Sequence, residues 1–167
     1  RRLAEEALKA SEANYRTIFS AVNDGIVVID PASGDFLEVN QKYLEMAGYD
    51  IQEAATLSLE KVCSADPPFT VQEAQELKRK ALEEGPQLFE WRAEDRGGRR
   101  FWVEINLALT PLGGRDRLLA VIRDISERKQ VEDIRRRAYE ELEQLVAERT
   151  AGLQSANAQL RGEIEER

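Results

Sequence analysis

Leu118-Leu119-Ala120-Val121-Ile122-Arg123-Asp124-Ile125-Ser126-Glu127-Arg128-Lys129 joins two kinds of chain with no loop between them. Its first five residues are an unbroken apolar run, the pattern of a strand buried on both faces. After Ile125 about forty residues continue without a proline, rich in Glu, Arg, Gln, Ala and Leu, the composition of a long helix. Asp124 followed three residues later by Glu127 has the form of a capping box, which starts a helix where the strand stops. A strand that passes straight into a projecting helix exports a change in its sheet as movement of that helix. The joint (Asp124, Ile125, Ser126 and Glu127) therefore points to a signalling module rather than a self-contained enzyme.

Working upstream, Phe101, Val103, Ile105, Leu107 and Leu109 alternate with Trp102, Glu104 and Asn106, a strand with one apolar face. Asp95-Arg96-Gly97-Gly98 is a hairpin signal between it and a strand over 88–93, and Pro111-Leu112-Gly113-Gly114 turns the chain into the strand at 117–124. Nearer the N-terminus, Ile26–Ile29 and Phe36–Val39 flank Asp30-Pro31-Ala32-Ser33-Gly34, a turn in which Pro presets φ and Gly takes the positive φ. Asn40 sits as an N-cap before Gln41–Ala47, and Gly48 stops that helix. Residues 50–84 read as short helices broken at Pro67-Pro68, the longest running from Val71 to Glu84. The spacing of Leu3, Ala7, Leu8, Tyr15, Ile18, Phe19 and Val22 predicts an amphipathic N-terminal helix, placed to cover the second face of the sheet. The plan is α+β: a five-stranded antiparallel sheet with helices on one face, an N-terminal helix over 1–22, a core over 23–125 and a C-terminal helix over 126–167.

Composition narrows the function. The net charge of −8 argues against nucleic acid and against an anionic membrane surface. No apolar run approaches the ~20 residues of a membrane span, and the expectation is a cytoplasmic fragment. The chain opens on Arg1-Arg2 rather than Met, which suggests a piece of a longer protein whose membrane anchor, if any, lies elsewhere. The sole cysteine, Cys63, excludes an internal disulfide. The absence of histidine removes the usual general base, the usual nitrogen metal ligand and the phospho-acceptor of two-component kinases. Neither a nucleotide-binding glycine motif nor a metal-ligand cluster is present, so no catalytic residue and no metal are expected.

Taken in order, Ser11-Glu12-Ala13-Asn14-Tyr15-Arg16, Asp24-Gly25-Ile26 with Asp30 and Gly34, Asn40, Gly48-Tyr49, Glu90-Trp91-Arg92, Gly97–Arg100 with Trp102-Val103-Glu104, and Arg123–Lys129 resemble a PAS (Per-Arnt-Sim) sensor domain over roughly 11–129. Residues 146–150 and 161–167 are similar to the helical linkers that join such domains to the next module in bacterial sensor proteins. The resemblance implies a five-stranded sheet enclosing a pocket, and a module that senses a ligand or pairs subunits. It also separates pocket types. Haem held by an axial histidine is ruled out. Flavin photoreceptors of the LOV type carry a reactive Cys in an Asn-Cys-Arg-Phe context, eleven residues beyond the Gly of the Gly-Tyr pair. Counting from Gly48 lands on Leu59; Cys63 lies four residues further, in Lys61-Val62-Cys63-Ser64. The residues thus argue against a flavin adduct, make Cys63 a small, partly buried hydrophobe, and leave open a flavin held without a covalent bond.

The residues expected to face the pocket are Ile26, Val28, Leu44, Phe69, Leu77, Phe89, Trp91, Phe101, Val103, Ile105 and Val121, nearly all apolar, which suits a small apolar ligand. Trp91 and Trp102 read as packing, and Glu90 and Glu104 as partners of Arg92, Arg99 and Arg100 in cross-strand ion pairs rather than as an acid–base pair. In the C-terminal helix Tyr139, Val146, Leu153 and Leu160 recur every seven residues, with Leu142, Arg149, Ala156 and Glu163 as the companion line. Val131, Ile134 and Ala138 follow a seam offset by one residue, so one straight register does not satisfy both. The expected assembly is a parallel homodimer through this helix, with an output domain downstream in the same chain. Two readings stay open: a sensor that binds a small ligand and passes its state through the helix, and a ligand-free module that pairs and spaces other domains.

Overall fold

The computed structural model describes residues 1–166. Its elements are α1 (Arg2–Ala21), β1 (Gly25–Ile29), β2 (Phe36–Val39), α2 (Gln41–Ala47), a 3₁₀ turn (Ala54–Thr56), α3 (Leu59–Val62), α4 (Val71–Glu83), β3 (Gln87–Glu94), β4 (Arg100–Leu112), β5 (Arg115–Asp124) and α5 (Ser126–Glu166). The strands form one five-stranded sheet in the order β2-β1-β5-β4-β3, with every neighbouring pair antiparallel. The helical insert between β2 and β3 supplies the second layer, so the α+β plan holds.

Each turn has a local cause. Between β1 and β2, Oδ1 of Asp30 accepts the N–H of Ala32 at 2.9 Å and of Ser33 at 3.0 Å. The bonds from Ser33 and Ala32 also hold the Asp30 carboxyl below its ordinary pKa. Asp95 repeats the device between β3 and β4, its Oδ1 accepting the N–H groups of Arg99 and Gly97. Between β4 and β5, Gly113 and Gly114 both take positive φ, 60° and 78°, as a two-residue turn that continues the strand twist requires. The short helices start on capping side chains: Asn40, Ser58 and Thr70 each accept the N–H of the residue three positions on.

The core lies on one face of the sheet. Val27, Ile29, Phe36, Leu57, Leu107, Leu118 and Ala120 form one buried cluster, and Met46, Trp91, Phe101 and Val103 a second. Val27 and Leu118 are wholly inaccessible to solvent, each a burial worth about 1.5–3 kcal/mol. α1 does not spread over the opposite face as its amphipathic pattern suggests. None of its residues is buried, and in its last two turns the Tyr15 hydroxyl donates to Glu38 on β2 at 3.2 Å. Compact units divide at Ser126, with residues up to Ser126 in one and Glu127 onward in the other.

Candidate functional site

Register decides which side chains face inward. Val27 stands opposite Ala120 and Ile29 opposite Leu118; Ala120 stands opposite Leu107 and Ile122 opposite Ile105; Phe89 stands opposite Ile105 and Trp91 opposite Val103. Cross-strand partners share a face, so these rows make one apolar floor. Over it, Tyr43, Met46 and Ala47 of α2, Leu59, Val62 and Cys63 around α3, and Ala74, Leu77 and Lys78 of α4 complete a cavity of about 100 Å³. An apolar cavity of ~150 Å³ is known to hold one benzene. A ligand of a few non-hydrogen atoms fits here, whereas a haem or a flavin does not fit the cavity as it stands.

Of the eleven side chains expected in the pocket, the structure brings Leu77, Phe89, Trp91, Phe101, Val103 and Ile105 to the cavity wall. Ile26, Val28, Leu44, Phe69 and Val121 are not on it. Ile26 pairs with Val121, and Val28 with Leu119, on the opposite face of the sheet. Both strands are apolar on their two faces, so alternation carries no phase there. Leu44 is 4% exposed but packs beside the wall, because α2 presents Tyr43, Met46 and Ala47 instead. Phe69 stands edge-on to Trp91 at 5.3 Å and to Trp102 at 5.5 Å, with the Arg92 guanidinium 5.2 Å from its ring centre.

The wall is chemically quiet. Burial pushes the Cys63 thiol up to about 11, so it stays protonated and behaves as a small apolar group near neutral pH. Burial, then the neighbouring Tyr49 and Cys63, raise the Tyr43 phenol as well. Among the described residues, no group of three or more His, Cys, Asp or Glu side chains could hold a metal ion. Each of the arginines expected beside Glu90 and Glu104 has a carboxylate within reach. Arg92 meets Asp66 at 3.9 Å, Arg99 meets Asp95 at 3.1 Å, and Arg100 meets Asp66 and Glu94. Glu90 and Glu104 stand directly opposite each other across β3 and β4, and Glu104 lies close enough to Arg123 to help raise that guanidinium, after Asp24.

Asn40 does more than cap α2. It is 1% exposed. Its Oδ1 accepts the N–H of Ile26 at 2.8 Å and of Tyr43 at 3.0 Å. Its Nδ2 donates to the carbonyls of Phe19 at 2.9 Å and Asp24 at 3.0 Å. One side chain thus ties the end of α1, the start of β1 and the start of α2 together. At the same end of the sheet, the backbone N–H of Ile125 donates to the carbonyl of Trp102 at 2.9 Å, and its side chain is 3% exposed. Oδ1 of Asp124 accepts the N–H of Ser126 at 2.9 Å, a bond to the second residue on rather than the third, so the expected capping box with Glu127 is replaced by a tighter Asx-type turn. Arg123 reaches Asp24 with two bonds, at 3.1 and 3.2 Å, fastening the last strand to the residue before β1.

The sequence profile described as PAS domain matches residues 23–127. The chain belongs to the PAS domain family. Its sequence is 32% identical over 143 residues to the methyl sulfide methyltransferase-associated sensor of Methanosarcina acetivorans, covering 86% of this chain and 14% of that protein. Among solved structures it is similar to the PAS domain of an HTR-like protein from Haloarcula marismortui, with 30% identity, a TM-score of 0.64, and coverage of 75% of this chain and 100% of that one. A domain of a sensory box sensor histidine kinase/response regulator from Geobacter sulfurreducens shares the fold at 24% identity and a TM-score of 0.57, covering 70% of this chain and 96% of that one. No described helix is long and apolar enough to cross a membrane.

In this PAS domain the helix α5 continues for 41 residues, ~60 Å at 1.5 Å per residue. None of its described residues is buried. Tyr139, Leu142, Val146, Leu153 and Leu160 are each 56–64% exposed, as are Val131 and Leu145. Ion pairs one turn apart line the same helix, among them Arg137–Asp133 at 3.1 Å and Arg128–Glu132 at 3.7 Å. Glu163 lies on the companion line, and position 167 lies outside the described residues.

Proposed function

We propose that this PAS domain is the non-catalytic sensory part of a longer, cytoplasmic signal-transduction protein, with a histidine-kinase or similar output in the same chain. A small, mainly apolar ligand occupies the cavity. Its presence biases the sheet, and the bias leaves through Asp124, Ile125 and Ser126 into α5, which pairs with a second copy as a parallel coiled coil. The observation that carries this reading is the apolar cavity on the inner face of a sheet whose last strand runs into the helix through one residue, Ile125, anchored to β4. The curated relative is named a sensor, and this chain spans about a seventh of its length, 14%, as expected of one module among several.

Within α5 the two offset seams favour two pairings of similar energy. A few kcal/mol decides such an equilibrium, so a modest bias from the core suffices to change the phase of the pair. Native mass spectrometry of the full chain tests the reading. A dimer carrying a small organic molecule is expected; a ligand-free monomer would contradict both parts. A second reading, a ligand-free pairing and spacing module, is favoured by the modest size of the cavity, about 100 Å³. A dimer with no retained molecule, and none acquired from cell extract, selects it.

A further inference from the structure

Lys78 occupies a position where an apolar residue is expected. Ala74, Leu77, Lys78 and Ala81 fall at the i, i+3, i+4 and i+7 positions of α4, one stripe of a helix. Ala74 and Leu77 line the cavity and Ala81 is 2% exposed, so the stripe faces inward and Lys78 lines the cavity with it. The other charged residue on the wall is Glu94, and its carboxylate already has Arg100 at 3.7 Å. On α4 itself, Glu76 and Glu83 are held by Arg79 at 2.6 and 2.5 Å. Lys78 forms no ion pair or hydrogen bond with any described residue.

Resting on the ligand-sensing reading above, we propose that the cavity takes a short-chain monocarboxylate, with its alkyl tail among Leu77, Trp91 and Val103 and its carboxylate on Lys78. Lys78 is half-buried on a largely apolar wall; a lysine there favours an anionic guest over a neutral one, and a charge-assisted bond at such a site is stronger than one in water. One cation matches one negative charge; a dianion would leave a charge uncompensated against apolar side chains. The volume, about 100 Å³, suits a tail of roughly four or five carbons, since ~150 Å³ holds a benzene. The neutral thiol of Cys63 on the same wall neither repels the carboxylate nor competes for Lys78.

The test is titration of the full chain with pentanoate and with pentan-1-ol, its neutral counterpart, followed by calorimetry and by the methyl NMR signals of Leu77 and Val103. Pentanoate should bind and shift both methyl sets, about ten- to a hundredfold more tightly than the alcohol. From propanoate to pentanoate the affinity should rise roughly fourfold per methylene. Lys78→Met should reduce pentanoate to the level of the alcohol, and Lys78→Arg should keep most of the preference. Equal binding of acid and alcohol, or an unchanged pentanoate affinity in Lys78→Met, overturns the headgroup assignment while leaving a ligand-binding cavity in place. If neither compound moves the Leu77 and Val103 signals, the assignment fails, and native mass spectrometry then decides separately whether the cavity holds any ligand.

Discussion

The two units of this chain use similar apolar residues to opposite ends. Up to Ser126, side chains such as Val27, Val103 and Leu118 are at most 1% exposed, and the sheet closes on its own helical layer. In α5, Val131, Ile134, Tyr139, Leu142, Val146, Leu153 and Leu160 are all at least 56% exposed. The core gains its stability within one chain. For α5 the internal gains are ion pairs one turn apart, a few tenths of a kcal/mol each, while Gly152 and Gly162 cost about 1 kcal/mol each against Ala. A 41-residue helix with those terms gains little from its own chain, which is why its apolar line is proposed as the contact with a second copy.

The same substitution made in both units should sharpen the contrast most. Leu118→Ala, at a position with no solvent exposure, should cost about 3–4 kcal/mol in urea unfolding. Leu153→Ala should leave core unfolding unchanged and instead weaken dimerisation, roughly tenfold or more by sedimentation equilibrium. Equal effects on the core from both would break the distinction. Next in size is the reactivity of Cys63. With its thiol pushed up to about 11, alkylation by iodoacetamide at pH 8 should run on the order of a hundredfold slower than in the urea-unfolded chain. The rate should climb with pH up to that value, because only the thiolate reacts; a profile that levels near pH 8.5 would mean the wall around Cys63 is open to water. The smallest effect concerns the joint. Asp124→Ala removes the bond to the Ser126 N–H and should cost about 1 kcal/mol in urea unfolding of the full chain, and a loss under 0.3 kcal/mol would show that Ile125 alone fixes the turn.

How far the sequence could be read follows the same physics. Turns were legible because Asp30, Asp95, Gly113 and Gly114 bond or bend locally, and β4 because Phe101–Leu107 alternates with polar neighbours. The inward phase of β1 and β5 was not: Ile26–Ile29 and Leu118–Ile122 are apolar on both faces, and only pairing with β4 shows that Val27, Ile29, Leu118, Ala120 and Ile122 line the cavity. Tyr43, Met46 and Ala47 carried a helical spacing that pointed to one face, and the choice of Leu44 missed it by one position. The role of Asn40 was beyond local reading, since three of its four side-chain bonds join residues 14 to 21 positions away. A lysine in a charged helix reads as solvated, so the place of Lys78 is hidden until the inward stripe of Ala74, Leu77 and Ala81 is known.

Cysteine crosslinking along α5 tests most directly whether this helix is completed by a second copy. In a Cys63→Ser background, single substitutions Val131→Cys, Ile134→Cys, Ala138→Cys, Tyr139→Cys, Leu142→Cys and Val146→Cys are oxidised one at a time and the covalent dimer is measured. Pairing through the two seams predicts strong crosslinking at these positions and weak crosslinking at Glu140→Cys and Ala147→Cys, which lie off both seams. The balance between the 131, 134 and 138 set and the 139, 142 and 146 set should shift when the cavity is filled. Uniformly weak crosslinking at all eight positions would contradict the account, leaving α5 an unpaired helix and the core without a route for its signal.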